Sequence, residues 1–396
     1  MKFFSFLILV YLARALGPAQ VGYFSVVFSV AGIAGVFIGL GIPYYMQKAI
    51  PSALAKGDHY SARSVFYSAL RVGLITFSLA VLGSLILHFL DPSFFGRAGA
   101  WNILALALPF AVIAYYSSVG EGVFIASESL HRILHVELLR EILRFLFVVV
   151  LVSIFRNYIA AVSGYILAYL LFDLTVLYLA PRLLPWLRGD YAVKMFSVVR
   201  SALPYLFFSI ATMFLVYTDT IMLAYLRLMS DVGVYRVAMS AISATLALLP
   251  FTVVSMPTLS RHASQGTLRS AYRRILRGAL SISLAAIPFL YLFAPYIIPF
   301  VFGSQFSPSV GVFYVLLWLL PLKIVYNLNI QSIVALGRDK EQIVYPLLAG
   351  ALNVVLNYFF ILRWGIYGAA AATVLSLLFA TVLSGVRLIS LFRKPI

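Results

Sequence analysis

The sequence predicts an all-α integral membrane protein of about twelve transmembrane helices, set out as two parallel six-helix lobes, and three observations carry that prediction. The 396 residues are 63% hydrophobic and 10% charged, with a mean hydropathy of +1.03, which is too apolar for a water-soluble chain. Runs of about twenty apolar residues, enough helix to cross a hydrocarbon core of ~30 Å, recur from end to end. They are continuous, whereas barrel strands would be ~10-residue segments of alternating polarity. The third observation is an internal repeat. Laid without gaps, "LARALGPAQVGYFSVVFSVAG" from Leu12 and "LAYLRLMSDVGVYRVAMSAIS" from Leu223 share Leu12/Leu223, Ala13/Ala224, Val21/Val232, Gly22/Gly233, Val26/Val237 and Ser29/Ser240, an offset of 211. The offset nearly persists at Pro109/Pro321 and Ala126/Ala335. Six spans per half is an even number, so both halves start on the same side, as in transporters whose substrate sits between two rocking bundles. The expected lobes are residues 1–190 and 191–396.

The expected spans are 2–16, 21–42, 65–90, 101–120, 136–155 and 158–180 in the first half, and 202–226, 232–256, 276–302, 309–333, 343–362 and 365–391 in the second. At the repeat offset Met1 faces Thr212, about ten residues into the seventh span, so the first span looks shortened. Lys2, an apolar stretch and Ala13-Arg14-Ala15 also imitate a signal peptide, but the match of residues 12–32 to the second half argues against cleavage there. Most Lys and Arg, among them Lys56, Arg63, Arg140, Arg200, Arg269, Arg273, Lys340 and Lys394, flank spans on the side of the N-terminus; Arg97, Arg156, Arg227 and Arg363 face the other way. The positive-inside rule then places both termini in the cytoplasm of a cell membrane. The net charge of +17 is thereby explained by anionic lipid headgroups rather than by nucleic acid. There is no cysteine, which excludes disulfide and thiolate chemistry.

Ionisable groups inside spans cost roughly 2.5–3.5 kcal/mol each at the bilayer centre, so each is a candidate for function. Arg14 ends the first span, and Arg71 lies a turn or two into the third. Glu121 closes the fourth and Asp173 lies in the sixth, where both can also reach the cytoplasmic interface. Asp219, two-thirds along the seventh span, is expected either to bind a coupling cation, proton or sodium, or to pair with a base. Arg236, one turn into the eighth, is the base within reach; it also suits a pyrophosphate, or snorkels to the surface. Lys323 follows Pro321 in the tenth span, and Asn327, Asn329 and Gln331 continue a polar strip. The proline opens the helix ladder there, so Lys323 and Asn327 are the foremost phosphate or sugar contacts, with hydrogen bonding inside the lobe as the alternative. "ESLHRILHVELLREILR" (128–144) sets Glu128, His131 and His135 on a helical spacing, yet without the water-activating acid of a zinc protease. It reads as an amphipathic helix at the cytoplasmic surface. "QKAIPSALAKGDHYSARS" (47–64) and "SRHASQGTLRSAYRRILRG" (260–278) occupy equivalent places and read as basic interfacial connectors. The small-residue stretches "GYFSVVFSVAGIAG" and "GIYGAAAAT" indicate close helix packing. No cofactor is expected.

Three stretches, "LARALGPAQVGYFSVVFSVAG", "DTIMLAYLRLMSDVGVYRVAMS" and above all "VALGRDKEQIVYPLLAGALNVVLNYFFILRWGIYGAAAATVLS", resemble the polysaccharide-biosynthesis membrane proteins, the Wzx-type flippases of the MOP superfamily. The last holds Ala-Leu-Gly-Arg before the eleventh span, Asn353 and Asn357 within it and Gly-x-x-Gly-Ala-Ala opening the twelfth. The resemblance extends over essentially the whole chain and departs from the pattern in the short first span. It implies a MATE-like pair of six-helix lobes around a cavity, and transfer of a polyprenyl-pyrophosphate-linked oligosaccharide from the cytoplasmic to the outer leaflet. A polar head crossing lipid needs a wet interior and counter-charges, which Arg and Lys supply. The alternatives are a cation-coupled exporter of organic cations, a flippase of peptidoglycan precursors, and a membrane enzyme such as a glycosyltransferase, for which the short loops carry no acid or metal cluster.

Overall fold

The computed structural model describes residues 2–90, 100–248, 251–339 and 341–393 of the chain. Arg97, Lys340 and Lys394 lie outside the described residues. Every regular element among them is helical: α1 (Lys2–Gly39), α2 (Ile42–Ala55), α3 (His59–Leu90), α4 (Ala100–Ala126), α5 (Leu134–Phe155), α6 (Tyr158–Leu183), α7 (Met195–Leu226), α8 (Met229–Ala247), α9 (Phe251–Ser264), α10 (Leu268–Phe302), α11 (Ser309–Leu316), α12 (Leu319–Ala335) and α13 (Glu341–Phe392). Eight stretches of the described residues are long and apolar enough to cross a membrane. Large apolar side chains such as Leu138, Ile154, Phe207, Phe300, Phe359 and Val386 are exposed on the outer faces of the helices, where lipid rather than water must meet them. The chain is a multi-pass membrane protein.

The breaks follow from local chemistry. α1 carries the first two expected spans, joined at Gly17 (φ 80, ψ 177) just before Pro18. A residue before proline is pushed out of the α region, and only glycine takes this conformation cheaply. α13 carries the last two, joined at Gly365 (φ 59, ψ −132). There the freed carbonyls are capped by Arg227, whose Nη2 donates to Ile361 O at 2.8 Å and Leu362 O at 3.3 Å. The tenth span divides into α11 and α12 because Pro321 has no N–H for the Leu317 carbonyl, and the Leu320 N–H takes it instead at 3.0 Å in a 3₁₀ turn. The eighth expected span divides between α8 and α9.

The repeat is visible in the backbone. Left-handed turns recur at a constant offset of 209: Gly57 (φ 71) with Gly266 (φ 67), Glu128 (φ 53) with Gly337 (φ 75), and Arg156 (φ 48) with Gly365 (φ 59). The turn at Glu128 ends α4, and His131 lies in a separate 3₁₀ turn before α5, so Glu128, His131 and His135 do not share one helix.

Packing divides the chain into two compact units, residues 1–16 with 23–213 (unit 1) and residues 17–22 with 214–396 (unit 2). Within unit 2 the segment Gly17–Gly22 of α1 lies on the start of α8. A Cβ added to Gly22 would stand 1.8 Å from Met229 O, and one added to Gly233 would stand 1.9 Å from Pro18 O. Both pairings, 22 with 229 and 18 with 233, join residues that the 211 offset equates crosswise. The crossing is therefore a reciprocal contact between the two copies of the repeat, permitted only because both positions are glycine.

Candidate functional site

Unit 2 encloses a buried acid. Asp219, on α7, is 6% exposed. Tyr235 of α8 donates its hydroxyl to Oδ2 at 2.5 Å, and Asn357 of α13 donates Nδ2 to Oδ1 at 2.7 Å. Thr373 Oγ1, beyond the α13 kink, lies 2.6 Å from Oδ2 and 3.0 Å from Ala369 O, so one proton serves two acceptors. Asn357 Nδ2 also donates to Asn353 Oδ1 at 2.9 Å, while Asn357 Oδ1 is buried with no hydrogen-bond partner. The ion pairs formed by the described residues do not involve Asp219, and Arg236, expected as its partner, is exposed one residue beyond Tyr235. Hydrogen bonds to a charged group are worth about 1.5–3 kcal/mol each, and burying an ion costs several kcal/mol. Three neutral donors therefore roughly offset the desolvation of the carboxylate without matching its charge.

Unit 1 encloses a ladder of charges. On α5, Glu137, Arg140, Glu141 and Arg144 are 5%, 4%, 3% and 4% exposed, while Leu138, Leu139 and Ile142 on the opposite face are 54%, 53% and 38% exposed. This corrects the reading of 128–144 as a surface amphipathic helix and of Arg140 as a cytoplasmic loop charge. The helix is amphipathic, but its apolar face looks outward to lipid and its charged face looks in. Arg140 Nη1 pairs with Glu121 of α4, and its Nε stands 3.6 Å from Glu141 Oε1. Arg144 Nη2 donates to Glu141 Oε2 at 2.5 Å and to Ser5 Oγ of α1 at 2.9 Å. Aromatic rings of α6 complete the sheath: the Arg140 guanidinium lies 4.2 Å from the Phe172 ring centre and Arg144 4.9 Å from that of Tyr165. Asp173, 7% exposed, accepts from Ser117 Oγ of α4 at 2.5 Å.

The polar strip on α12 splits in two. Asn329, 1% exposed, accepts from Tyr272 Oη at 2.6 Å and donates to Thr381 O and Ser384 Oγ at 3.2 and 3.1 Å, tying α10, α12 and α13 together. Lys323, Asn327 and Gln331, spaced one turn apart, form a half-buried line on another face. Arg14 and Arg71 are exposed on α1 and α3. Of the expected residues the structure thus gathers Asp219 with one cluster, and Glu121 with the α5 ladder. The members not singled out beforehand are Glu137, Arg140, Glu141, Arg144, Tyr235 and Thr373. The 137, 140, 141, 144 spacing, one helix face of alternating sign, was the signal for the ladder.

Residues 1–263 match the model of a family described as "Polysaccharide biosynthesis protein". Over 398 aligned residues, 96% of this chain and 78% of the relative, the chain is 26% identical to the "Probable low-salt glycan biosynthesis flippase Agl15" of Haloferax volcanii. Among solved structures, an inward-facing multidrug resistance MATE family transporter of the MOP superfamily matches with a TM-score of 0.76 at 17% identity, over 100% of this chain and 96% of that one. The lipid II flippase MurJ in an inward closed conformation matches with a TM-score of 0.69 at 15% identity, over 98% and 88%. These two likenesses concern the fold. With more than half of its length matched by the family model, the chain belongs to the polysaccharide biosynthesis protein family.

Proposed function

We propose that this protein flips a polyprenyl-pyrophosphate-linked oligosaccharide from the cytoplasmic to the outer leaflet of the cell membrane by alternating access of two six-helix lobes, residues 1–190 and 191–396, with both termini in the cytoplasm. Family membership and the flippase relative support the substrate class. Lys323, Asn327 and Arg236, with Arg14 and Arg71 in the first half, are the groups assigned to the anionic and sugar parts of the head. The relatives are named as flippases and transporters, which leaves a membrane enzyme without support.

Asp219 is assigned to the coupling cation, sodium or proton, and one observation carries that assignment. A buried carboxylate with three neutral donors stands beside the orphaned acceptor Asn357 Oδ1. Asp219, Asn357, Asn353 and Thr373 supply the oxygen ligands that a hard cation takes, and a proton on Asp219 answers the same charge deficit. The second reading, export of organic cations, draws on the fold shared with the MATE transporter and on the same acid.

The test uses proteoliposomes that hold a pyrophosphate-linked oligosaccharide and follows exposure of its sugar to an external glycosidase. Flipping is expected to rise with an imposed sodium or proton gradient. Asp219→Asn is expected to remove that dependence, and Lys323→Ala to slow exposure at every gradient. Gradient-driven efflux of an organic cation with no sugar exposure would replace the flippase by the exporter.

A further inference from the structure

The two halves can be compared residue by residue because the repeat has a backbone register. The offset is 211 through α1, α7 and α8, as the reciprocal Gly22 and Gly233 contact requires, and 209 from α5 and α6 to α13, as the Arg156 and Gly365 turns require. Carried across on those offsets, Asp219 and Tyr235 correspond to Ile8 and Phe24, and Asn357 and Thr373 correspond to Val148 and Gly164. Ile8 and Val148 are fully buried, and a Cβ added to Gly164 would lie 2.8 Å from Val148 N. The place of the acid is therefore closed and apolar in unit 1. Asn353 is the exception: it corresponds to Arg144, which is held by Glu141 Oε2 at 2.5 Å and Ser5 Oγ at 2.9 Å. The exchange runs in the other direction too, since Glu121, Arg140 and Glu141 correspond to Ile330, Ala349 and Gly350.

We propose that Arg144 is a tethered cation, standing in unit 1 at the register position that Asn353 takes in the Asp219 cluster of unit 2, so that Glu141 needs no mobile cation. The covalently held guanidinium satisfies Glu141 permanently, whereas no ion pair among the described residues involves Asp219. This rests on the assignment of Asp219 to the coupling cation, and the test separates the two.

Thermal unfolding of the purified full-length protein is measured in sodium against choline chloride and across pH. The parent is expected to show one-site cation stabilisation that Asp219→Asn abolishes. In the Asp219→Asn background, Arg144→Gln leaves Glu141 and Glu121 sharing Arg140. It is expected to gain a new upward shift of the midpoint with sodium, which Glu141→Gln removes and which Arg144→Lys never shows. Should Arg144→Gln fail to fold while Arg144→Gln with Glu141→Gln folds, the arginine is shown to be a required counter-charge, and the proposal stands. A second sodium response that persists in Asp219→Asn alone and is removed by Glu141→Gln would overturn it. So would an Arg144→Gln variant that folds with an unchanged midpoint and no sodium response. A parent without any cation response would instead refute the role of Asp219, and the Arg144 series, run without that acid, would still be read.

Discussion

The crossing of Gly22 and Gly233 yields a prediction whose size follows from distances. A methyl group at Gly22 would meet Met229 O at 1.8 Å, and one at Gly233 would meet Pro18 O at 1.9 Å. Both obstacles are backbone carbonyls, which no rotamer change can move. The two segments must separate by roughly 1.5 Å to restore van der Waals contact, and the packing beside them is lost as they part. Gly22→Ala and Gly233→Ala are each expected to cost about 3 kcal/mol, the upper part of the range for overpacked sites. Both substitutions strain the same crossing, so once one has opened it the second finds much of the space already made. The double variant should cost about 4 kcal/mol, a coupling of about 2 kcal/mol, where independent sites would add. Unfolding free energies from SDS titration of the four proteins in mixed micelles measure the cycle. Additive costs, or single costs below about 0.5 kcal/mol, would show that the reciprocal contact is not formed and would remove the 211 register on which the comparison of halves depends.

Other consequences concern the charges and the breaks. Arg140→Ala strips Glu121 of its partner and leaves Glu141 with Arg144 alone; breaking a buried pair of this kind costs about 3–5 kcal/mol. Adding Glu121→Ala should return part of that loss, and the same SDS titration reads both. Asn329→Ala leaves the Tyr272 hydroxyl without its acceptor and is expected to destabilise by about 1–3 kcal/mol, with the sodium stabilisation proposed for Asp219 unchanged in the sodium and choline comparison. Arg227→Ala uncaps Ile361 O and Leu362 O at the Gly365 kink. Hydrogen exchange of α13 should then quicken on both sides of the kink, while α12 is unchanged.

Much of this molecule was legible in the sequence because membrane physics acts on long windows. The apolar runs, the repeat, and Asp219 as a costly charge in a span all come from features that survive averaging over a helix. The α5 ladder was not legible in the same way. A rule that assigns orientation from Lys and Arg near span ends counts Arg140 as a cytoplasmic charge, because it does not register that Glu121 and Glu141 neutralise it inside the fold. The partner of Asp219 failed for a geometric reason. Tyr235 and Arg236 are neighbours in sequence, but consecutive residues on a helix point about 100° apart. Only one of them can face α7, and the tyrosine does. Pro321 was visible as a breaker, whereas the cap that Arg227 places on the Gly365 kink joins residues 134 positions apart.

The two halves keep a common backbone and exchange their chemistry. Three left-handed turns recur at one offset, including two at Glu128 and Arg156, where a side chain other than glycine must tolerate the conformation. On the 211 and 209 offsets none of the five polar groups at the Asp219 cluster has an identical counterpart in unit 1. Rocking of two bundles requires matched helices and matched breaks, and those are what the repeat retains. Coupling requires that a charge be met by something able to leave, and a guanidinium on a helix cannot leave. At the Arg144 position the first half carries its own counter-ion, so the charge of Glu141 is met by a group that belongs to the fold.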